Sequence, residues 1–422
     1  MDTRIYDVAG IGIGPFNLGL ACLCKPINDL TTIFIDSKKE FSWHEGMLIP
    51  GTTLQVTWLA DLVTLVDPSS KFSYLSYLRE KNKILQFGIY EPASLTRTEF
   101  NRYCQWACSK LSNLYFGTEA RSISYDVSKE IFIIHCSLNM GKEVLIRAKK
   151  IVLGVGAMPY LPEWANVLDS DKVIHSSNYL NAQEPVEKAE DIMIVGSGQS
   201  AGEIFYNLLE KPSQPNLSWV TRSRQLFAME AAKMNFEFTS PDFIDYFFSL
   251  SAETKAKMLQ RQNYLYKGIS QQLLNSIYDR LYEAQQERES VPVQIMTNTN
   301  IVKVIDDKEY LEVELLHRQT GRRNKKTADT LILCTGYHYR IPEIIKGLGK
   351  QIQYDKDGKL AANRNYSIDL DNRVFVQNAE LHTHGFNAPD IGLGPYRNAV
   401  IINSILGYDC YPTDTCTTFQ RF

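Results

Sequence analysis

The feature that most constrains this fold is a glycine-rich turn between a strand and a helix, which occurs twice in the sequence. Near the N-terminus, the β-rich run Ile5–Ala9 leads into Gly10-Ile-Gly-Ile-Gly14, and small apolar residues of helical character follow at Leu18–Cys24. The same order returns 186 positions later, where the strand-like run Asp191–Val195 leads into Gly196-Ser-Gly-Gln-Ser-Ala-Gly202 and a second helical run. We therefore predict an internal repeat of one strand–turn–helix unit.

A turn of this kind suits a dinucleotide. The strand ends in a turn so tight that only glycine fits, the amide groups of the next helix face a pyrophosphate, and no side chain blocks its approach. A single match is weak, and two ordinary strand–glycine–helix turns are the alternative, but two matches in the same context are much stronger. The sequence thus predicts an α/β fold with two Rossmann-like dinucleotide-binding modules.

The residue that ends the next strand indicates which nucleotide each module holds. In the first module, the strand Thr31–Ile35 ends at Asp36, a carboxylate that can accept from ribose hydroxyls and would repel a 2′-phosphate. This predicts FAD or NAD. In the second module, Leu217–Val220 is followed by Arg222, and a cation there favours NADPH. The alternative is that Arg222 is an ordinary surface arginine at a strand end.

A second repeat accompanies the first. Glu130–Ser137 and Glu143–Ala148 predict a hairpin around Asn-Met-Gly, after which Lys150–Leu153 enters another glycine turn. Later, Tyr310–Leu316 and Thr327–Leu333 flank a Thr-Gly-Arg-Arg turn and lead into Cys-Thr-Gly-Tyr. Since there are only two copies, the repeats indicate two dinucleotide-binding modules and not a solenoid, and the Cys-Thr-Gly-Tyr turn is expected to bring the chain back to the first module.

Two further segments complete the predicted organisation. The Pro-punctuated stretch Pro159–Pro185 is taken as an interdomain crossing, and residues 241–290, with helical spacing and almost no glycine, predict a small helical substrate-binding insert. The predicted domains are an FAD-binding domain in two parts, 1–186 and 328–422; an NADPH-binding domain in two parts, 187–240 and 291–327; and the insert, 241–290.

Composition excludes several classes of protein. The 422 residues suggest two to three domains at about 150 residues each. Lys and Arg number 45 and Asp and Glu 48, and this net charge of −3 argues against a nucleic-acid or anionic-membrane binder. An apolar content of 44% and a charged content of 22% exclude a disordered chain. We expect a cytoplasmic protein, with a homodimer or homotetramer left open.

Two sequence features could mislead. The apolar stretch Val8–Cys24 is at the short end for a membrane span and carries patterned glycines, so we interpret it as a buried strand, turn and helix. The eight cysteines form neither a CxxC motif nor zinc-type spacing with histidine. We therefore predict reduced thiols and no metal site.

Three flavin chemistries compete for such a chain. A disulfide reductase needs a redox cysteine pair, but Cys22 and Cys24 are two apart on one helix and point to different faces. An amine oxidase needs only one dinucleotide module. A monooxygenase needs both, and relatives that oxygenate sulfur or carbonyl carbon carry an FxGxxxHxxx(Y/W/F) segment. Here only the part beginning at His175 is present, since Asp169 and Asp171 stand at the Phe and Gly positions.

The sequence resembles the NADPH- and FAD-dependent N-hydroxylating monooxygenases of siderophore biosynthesis, which act on lysine, ornithine or diamines. The segments that carry the resemblance span the whole chain: Gly10-Ile-Gly-Ile-Gly-Pro-Phe-Asn-Leu18, Phe41-Ser-Trp-His-Glu-Gly-Met47, Leu54-Gln-Val-Thr-Trp-Leu-Ala-Asp-Leu62, Gly196-Ser-Gly-Gln-Ser-Ala201, Leu333-Cys-Thr-Gly-Tyr337 and His382-Thr-His-Gly385. It implies that NADPH reduces FAD, that dioxygen gives a C4a-hydroperoxyflavin, and that a primary amine takes the distal oxygen to become a hydroxylamine.

The resemblance also implies roles for individual residues. The implied FAD contacts are Gly12, Gly14, Pro15, Phe16, Asn17, Asp36, Ser37, Trp43, His44, Gln55 and Leu393. The implied NADPH contacts are Ser197, Gly198, Gln199, Ser200, Arg222, Asn263 and Tyr337. The implied substrate contacts are Ala60, Asn235, Asn263 and Gly392, and Gln55 and Asn263 would act at the catalytic centre. Trp43 and His44 could instead be ordinary packed residues.

One departure from the family pattern bears on the substrate. In the lysine and ornithine enzymes, the segment matching Trp58–Leu62 carries a lysine that pairs with the substrate's α-carboxylate, and here that position is Ala60. Gly392 replaces a serine at the same end of the pocket. A carboxylate buried without a cation would cost several kcal/mol, so we predict an amine without an α-carboxylate: putrescine or cadaverine, with histamine also possible. The alternatives are an L-lysine N6-monooxygenase in which Lys233 replaces the lost cation, and an uncoupled NADPH oxidase.

Overall fold

The computed structural model describes residues 4–139, 141–168, 170–211, 215–287, 291–414 and 416–422. Of the residues used above, Met140 in the first hairpin turn, Asp169, and residues 288–290 at the end of the insert lie outside these ranges. Within them, no helix is both long enough and apolar enough to span a membrane.

Strands and helices alternate in parts of the chain and elsewhere form runs of several consecutive strands or several consecutive helices. The strands are β1 Ile5–Ile11, β2 Thr32–Ile35, β3 Leu114–Tyr115, β4 Thr118–Asp126, β5 Ile131–Leu138, β6 Glu143–Leu153, β7 Met158–Pro159, β8 Val173–His175, β9 Asp191–Val195, β10 Asn216–Val220, β11 Val293–Met296, β12 Thr299–Asp306, β13 Leu311–His317, β14 Arg323–Ala328, β15 Thr330–Leu333, β16 Tyr337–His338 and β17 Val374–Val376. The α-helices are α1 Pro15–Cys24, α2 Tyr74–Glu80, α3 Ile84–Tyr90, α4 Arg97–Ser109, α5 Glu163–Asn166, α6 Gln183–Lys188, α7 Gln199–Leu209, α8 Lys233–Phe236, α9 Pro241–Ser249, α10 Ala252–Arg261, α11 Asn263–Tyr266, α12 Gln271–Glu287, α13 Leu381–His384 and α14 Gly394–Leu406.

The first module is built on a sheet in the order β3-β2-β1-β6-β5-β4, with β17 also paired to β6. Strand β1 is parallel to β2 and β6, whereas β4, β5 and β6 form an antiparallel meander. Apolar packing covers both faces of the parallel strands, which explains their unbroken apolar runs. The carboxyl ends of β1, β2, β6 and β17 therefore meet at one edge, where ligands of open α/β sheets bind.

The second module repeats this plan. Its sheet is parallel throughout, in the order β11-β10-β9-β15-β8, and the antiparallel meander β12-β13-β14 precedes the returning strand β15. This pairing corrects two predicted boundaries, because β8 lies within the predicted 1–186 part and β15 within the predicted 328–422 part. Both strands belong to the second sheet.

The run Thr327–Leu333, predicted as one strand, is two. It breaks at Asp329, whose carboxylate accepts the backbone N–H groups of Glu190 at 2.8 Å and Asp191 at 2.9 Å. These bonds turn the chain out of the meander and set β15 beside β9. One side chain thus separates β14 from β15.

The two crossings between modules lie side by side. Strands β7 and β16 pair antiparallel, and the Tyr160 N–H donates to the carbonyl of Gly336 at 2.9 Å. The crossing is therefore shorter than the predicted Pro159–Pro185, which also contains α5, β8 and the start of α6 in the second module. This double connection fixes the edge of one sheet near the edge of the other.

The segment from 241 to 287 is helical, as the sequence indicated. Helix α9 buries Phe243 and Phe247 against Phe386 from the C-terminal part of the chain. Helix α12 packs instead on α7, with Ile277 in the same apolar cluster as Ile204. The insert therefore touches both modules and closes over the region between them.

Candidate active site

The first glycine turn has the form of a pyrophosphate cradle. Gly12 has a φ of +88°, and a Cβ there would lie 2.4 Å from the carbonyl oxygen of Gly154, so no other residue fits without a shift of the backbone. Gly14 caps the N-terminus of α1, and a Cβ on it would meet no atom within 4 Å. The first glycine closes the turn, and the second leaves open space before the helix amides. Pro15 occupies the first helical position, where the backbone N–H that proline lacks would have no partner within the helix.

Asp36 stands beside this turn at the end of β2. Its carboxylate accepts the backbone N–H of Ile13 at 2.7 Å and that of Lys38 at 2.8 Å. These bonds fix the carboxylate at the sheet edge, where it can accept from a ribose hydroxyl, and Ser37 next to it is exposed.

The side chain of Asn17 braces the turn instead of facing a ligand. Its amide donates to the carbonyl of Gly12 at 2.8 Å and accepts from Gln377 at 2.6 Å, and the side chain is buried. A Cβ on Gly154 would lie 2.5 Å from this amide nitrogen, so the two residues are packed in contact. The pyrophosphate role predicted for Asn17 is thus limited to its backbone N–H.

The second turn has the same geometry. Gly196 has a φ of +144°, and a Cβ there would lie 2.3 Å from the carbonyl oxygen of Cys334. Gly198 caps α7, and its Cβ would enter open space. In the structure, Gly12 therefore corresponds to Gly196 and Gly14 to Gly198. The sequence repeat had paired Gly10 with Gly196, so the predicted register was wrong by two residues.

Two predicted NADPH residues in this turn use their side chains within the protein. The Gln199 amide donates to Glu203 at 3.0 Å and accepts the N–H of Ser270 at 2.8 Å. The Ser197 hydroxyl lies 2.8 Å from that of Ser223. Both side chains therefore hold the turn in shape, whereas Ser200 follows in the first turn of α7.

Glu203 also links the two modules. It forms an ion pair of 2.8 Å with Arg97 of α4, and a second guanidinium nitrogen donates to it at 3.0 Å. Burial raises the pKa of the Glu203 carboxyl, and Arg97 opposes that shift. This two-point contact fixes α7 against the first module.

Positive charge gathers at the end of β10. Arg222 is exposed there, and the guanidinium of Arg318 donates to its backbone carbonyl at 3.2 Å. Burial, and then the charge of Arg222, lowers the pKa of Lys267, which places this ammonium in the same neighbourhood. Neither Lys267 nor Arg318 was among the NADPH residues predicted from the sequence.

Trp43, His44 and Tyr337 form a ring cluster where the modules meet. The His44 ring centroid lies 4.6 Å from that of Trp43 and 5.7 Å from that of Tyr337. His44 adopts a left-handed φ of +52°, a conformation that is uncommon for residues other than glycine. Although His44 keeps surface exposure, desolvation by the surrounding protein, aided by Arg97 and Lys38, lowers its pKa to about 4, so the ring is neutral at pH 7.

The segment from Leu54 to Leu62 carries two of the residues predicted for the active site. Gln55 is exposed on it and Ala60 is buried. Asp61 fixes the segment, because its buried carboxylate accepts the N–H groups of Thr64 and Tyr74, each at 2.7 Å. Ala60 therefore has a defined position.

The loop from 385 to 394 joins the predicted substrate residues. Phe386 stacks on Tyr266 of α11, the helix that begins at Asn263, with 5.6 Å between ring centroids. The Asn387 amide donates to the carbonyl of Phe238 at 3.1 Å, just beyond the helix that carries Asn235.

At its other end, this loop reaches the first glycine turn. Leu393 precedes α14, and a Cβ on Gly394 would lie 3.1 Å from the ring of Phe16. A Cβ on Gly392 would lie 3.6 Å from that of Ala60. The two positions singled out for substrate selectivity are therefore neighbours.

Comparison with known proteins identifies the family to which the chain belongs. The sequence profile described as L-lysine 6-monooxygenase/L-ornithine 5-monooxygenase matches residues 4–339. The chain belongs to this family. A putrescine N-hydroxylase of Shewanella oneidensis is 41% identical over all of this chain and 85% of its own. The crystal structure of an FAD-bound cadaverine monooxygenase of desferrioxamine biosynthesis from Erwinia amylovora has a TM-score of 0.96 at 40% identity, covering 100% and 99% of the two chains. The L-lysine N6-monooxygenase of Escherichia coli is 29% identical over 97% of this chain and 96% of its own.

For this family member, the structure places several of the residues chosen from the sequence in contact with one another or at the first turn. Ala60 and Gly392 meet, Tyr337 contacts His44, and Asp36 lies at the first turn. Asn263 is exposed and donates to the carbonyl of Gln260 at 3.0 Å, and Asn235 is half-buried. No cluster of metal-ligating side chains occurs within the described ranges.

Proposed function

We propose that this chain is an FAD- and NADPH-dependent monooxygenase that hydroxylates the nitrogen of a primary amine without an α-carboxylate. Putrescine and cadaverine are the first candidates and histamine is the next. The reaction would convert the amine, dioxygen, NADPH and a proton into a hydroxylamine, water and NADP⁺. The observation that carries this proposal is the pair of glycine cradles at the sheet edges of two modules, with Ala60 and Gly392 together in the space beside them.

The residues at the two edges fit the two nucleotides. Gly14 and the α1 amides would hold the FAD pyrophosphate, with Asp36 on the ribose. Gly198 and the α7 amides would hold that of NADPH, with Arg222 at its 2′-phosphate. When bound, FAD supplies the redox and oxygen-transfer chemistry, with NADPH as the reductant. The rings of His44 and Tyr337 would line the space between the modules.

The amine must lose its proton to react, because an alkylammonium, with a pKa of about 10.4, has no lone pair. The amide side chains of Asn235 and Asn263 carry no charge, and His44 is neutral at pH 7. These neighbours favour a neutral amine more than carboxylates would.

The oligomeric state, a homodimer or a homotetramer, and a cytoplasmic location stay predictions from the sequence.

The test of this function is the yield of hydroxylamine per NADPH consumed by the holoenzyme, measured over putrescine, cadaverine, histamine and L-lysine. We expect hydroxylamine close to one per NADPH with a diamine. Hydrogen peroxide alone with every amine would establish the uncoupled NADPH oxidase instead. A chain that consumes no NADPH would not be an enzyme of this class.

Replacing Arg222 with alanine is expected to lower kcat/KM for NADPH about tenfold and to leave kcat/KM for NADH nearly unchanged. A charge-assisted contact to phosphate contributes about 1.5–3 kcal/mol, and Lys267 and Arg318 retain part of the charge. Arg121, which pairs with Glu119 on the first sheet, offers a control in Arg121→Ala. A wild-type preference for NADH would contradict the assignment of the second site.

A further inference from the structure

The space beside Ala60 and Gly392 is flanked by a carboxylate. A Cβ built on Gly392 would lie 3.0 Å from Oδ1 of Asp390 as well as 3.6 Å from Cβ of Ala60. Neither Ala60 nor Gly392 has a side chain that could reach across this volume. A carboxylate oxygen therefore lies beside two residues that have no long side chain.

The Asp390 carboxylate is not in direct contact with a cationic side chain of the described residues. Its Oδ1 accepts the N–H of Leu393 at 3.2 Å, and it takes part in no ion pair among the described residues. The cation that acts on it is Arg397, which is already paired with Glu380 at 3.1 Å and donates to the carbonyl of Asn387.

Desolvation by the surrounding protein raises the free energy of the charged form of Asp390. Asp390 keeps some solvent access, but desolvation of its carboxyl is the main cause of a raised pKa, which two backbone N–H groups and Arg397 only partly oppose. A carboxylate in such a place gains most from a cation that arrives with the ligand.

The fold also places Asp390 at the substrate end of the site. The loop that carries it contacts the two segments to which the predicted substrate amides belong, through Phe386 against Tyr266 in the insert and through Asn387 against Phe238 just after α8. The same loop then reaches Phe16 at the first glycine turn. Asp390 thus lies on a loop that runs from the insert to the helix of the first glycine turn.

We propose that Asp390 is a specificity-determining residue that receives the distal ammonium of a diamine while the other nitrogen is hydroxylated. This inference rests on the proposed function. An ammonium would pair with the carboxylate at little desolvation cost, whereas a substrate α-carboxylate would meet a like charge. The pocket therefore selects a cationic tail and rejects an amino-acid head.

The competing role for Asp390 is that of a local cap on the turn before α14, since it accepts the Leu393 N–H. Asp390→Asn separates the two roles, because asparagine keeps the acceptor and loses the charge. The measurement is kcat/KM for putrescine divided by that for butylamine, together with cadaverine against pentylamine. Dissociation constants of the same amines for the oxidised holoenzyme with NADP⁺ give a second readout. We expect the diamine-to-monoamine ratio to fall at least about tenfold in both readouts, with little change for the monoamines.

Asp369→Asn is a matched control. Asp369 is buried, accepts the N–H groups of Arg373 and Val374, and has a pKa that burial raises, but it caps the turn before β17, away from the site. Its substitution should leave the ratio unchanged. An unchanged ratio in Asp390→Asn, or an equal loss for both kinds of amine, would overturn the role of Asp390 while diamine hydroxylation by the wild type stands. A wild type that hydroxylates no diamine would refute the proposed function, and this inference with it.

Discussion

Arg397→Ala is expected to lower the free energy of unfolding by about 3–5 kcal/mol, because it leaves a buried carboxylate without its cation. Arg397 is 2% exposed, and its Nε lies 3.1 Å from Oε1 of Glu380, which is fully buried. The guanidinium also lies 4.5 Å from the ring centroid of Phe16 and donates to the carbonyl of Asn387. Denaturant unfolding of the FAD-loaded protein measures the change.

The loss should depend on pH with a defined sign. Burial raises the pKa of Glu380 and Arg397 opposes that shift, so removing Arg397 raises this pKa further. Below it the carboxyl is neutral and needs no cation, so the deficit relative to wild type should shrink as pH falls.

Two further variants test the cause of the deficit. Arg323→Ala, which breaks a solvent-exposed pair with Glu314, should cost no more than about 1 kcal/mol. Adding Glu380→Gln to Arg397→Ala should restore part of the loss. A double variant no more stable than Arg397→Ala would contradict this explanation.

Ala60→Lys is expected to lower kcat/KM for putrescine by about a hundredfold, since like charges brought together in a pocket cost several kcal/mol. The new ammonium would lie beside the position of Gly392, where it can pair with Asp390 and displace the distal ammonium of the substrate. Activity with butylamine should fall less, because that amine has no second charge.

Ala60→Met is the control for size. Methionine has a similar length and no charge, so it fills the same volume without pairing with Asp390. The expected order for putrescine is wild type, then Ala60→Met, then Ala60→Lys. Equal losses in the two variants would show that space, and not charge, makes Ala60 important.

The sequence was most informative where one residue type alone satisfies the backbone. Gly12 and Gly196 adopt positive φ values and approach the carbonyls of Gly154 and Cys334, so a glycine pattern predicts these turns directly. Asp36 was predictable for a similar reason, because its place at the end of β2 follows from the strand and turn alone.

Long-range pairing was not predictable in the same way. Strand β15 was assigned to the first module because its own residues suit either sheet, and the bonds of Asp329 to the start of β9 determine its place. The hydrogen bonds of the Gln199 side chain within the protein were equally hard to predict. One partner, Glu203, lies in α7, and the other, Ser270, immediately precedes α12.

The residues missed at the site belong to no motif. Lys267 and Arg318 come from distant parts of the chain, and only folding brings them to Arg222. Asp390 had one usable signal, because it lies two positions before Gly392, a residue already selected for its place at the end of the pocket. A search for charged neighbours of that glycine would have found it.

The most direct test of the account compares kcat/KM for putrescine, cadaverine, histamine, L-ornithine and L-lysine under one set of conditions, with hydroxylamine as the measured product. We expect kcat/KM for putrescine or cadaverine to exceed that for both amino acids by at least about tenfold, because Ala60, Gly392 and Asp390 lie where a cation would be needed. An advantage of tenfold or more for L-lysine or L-ornithine would contradict it.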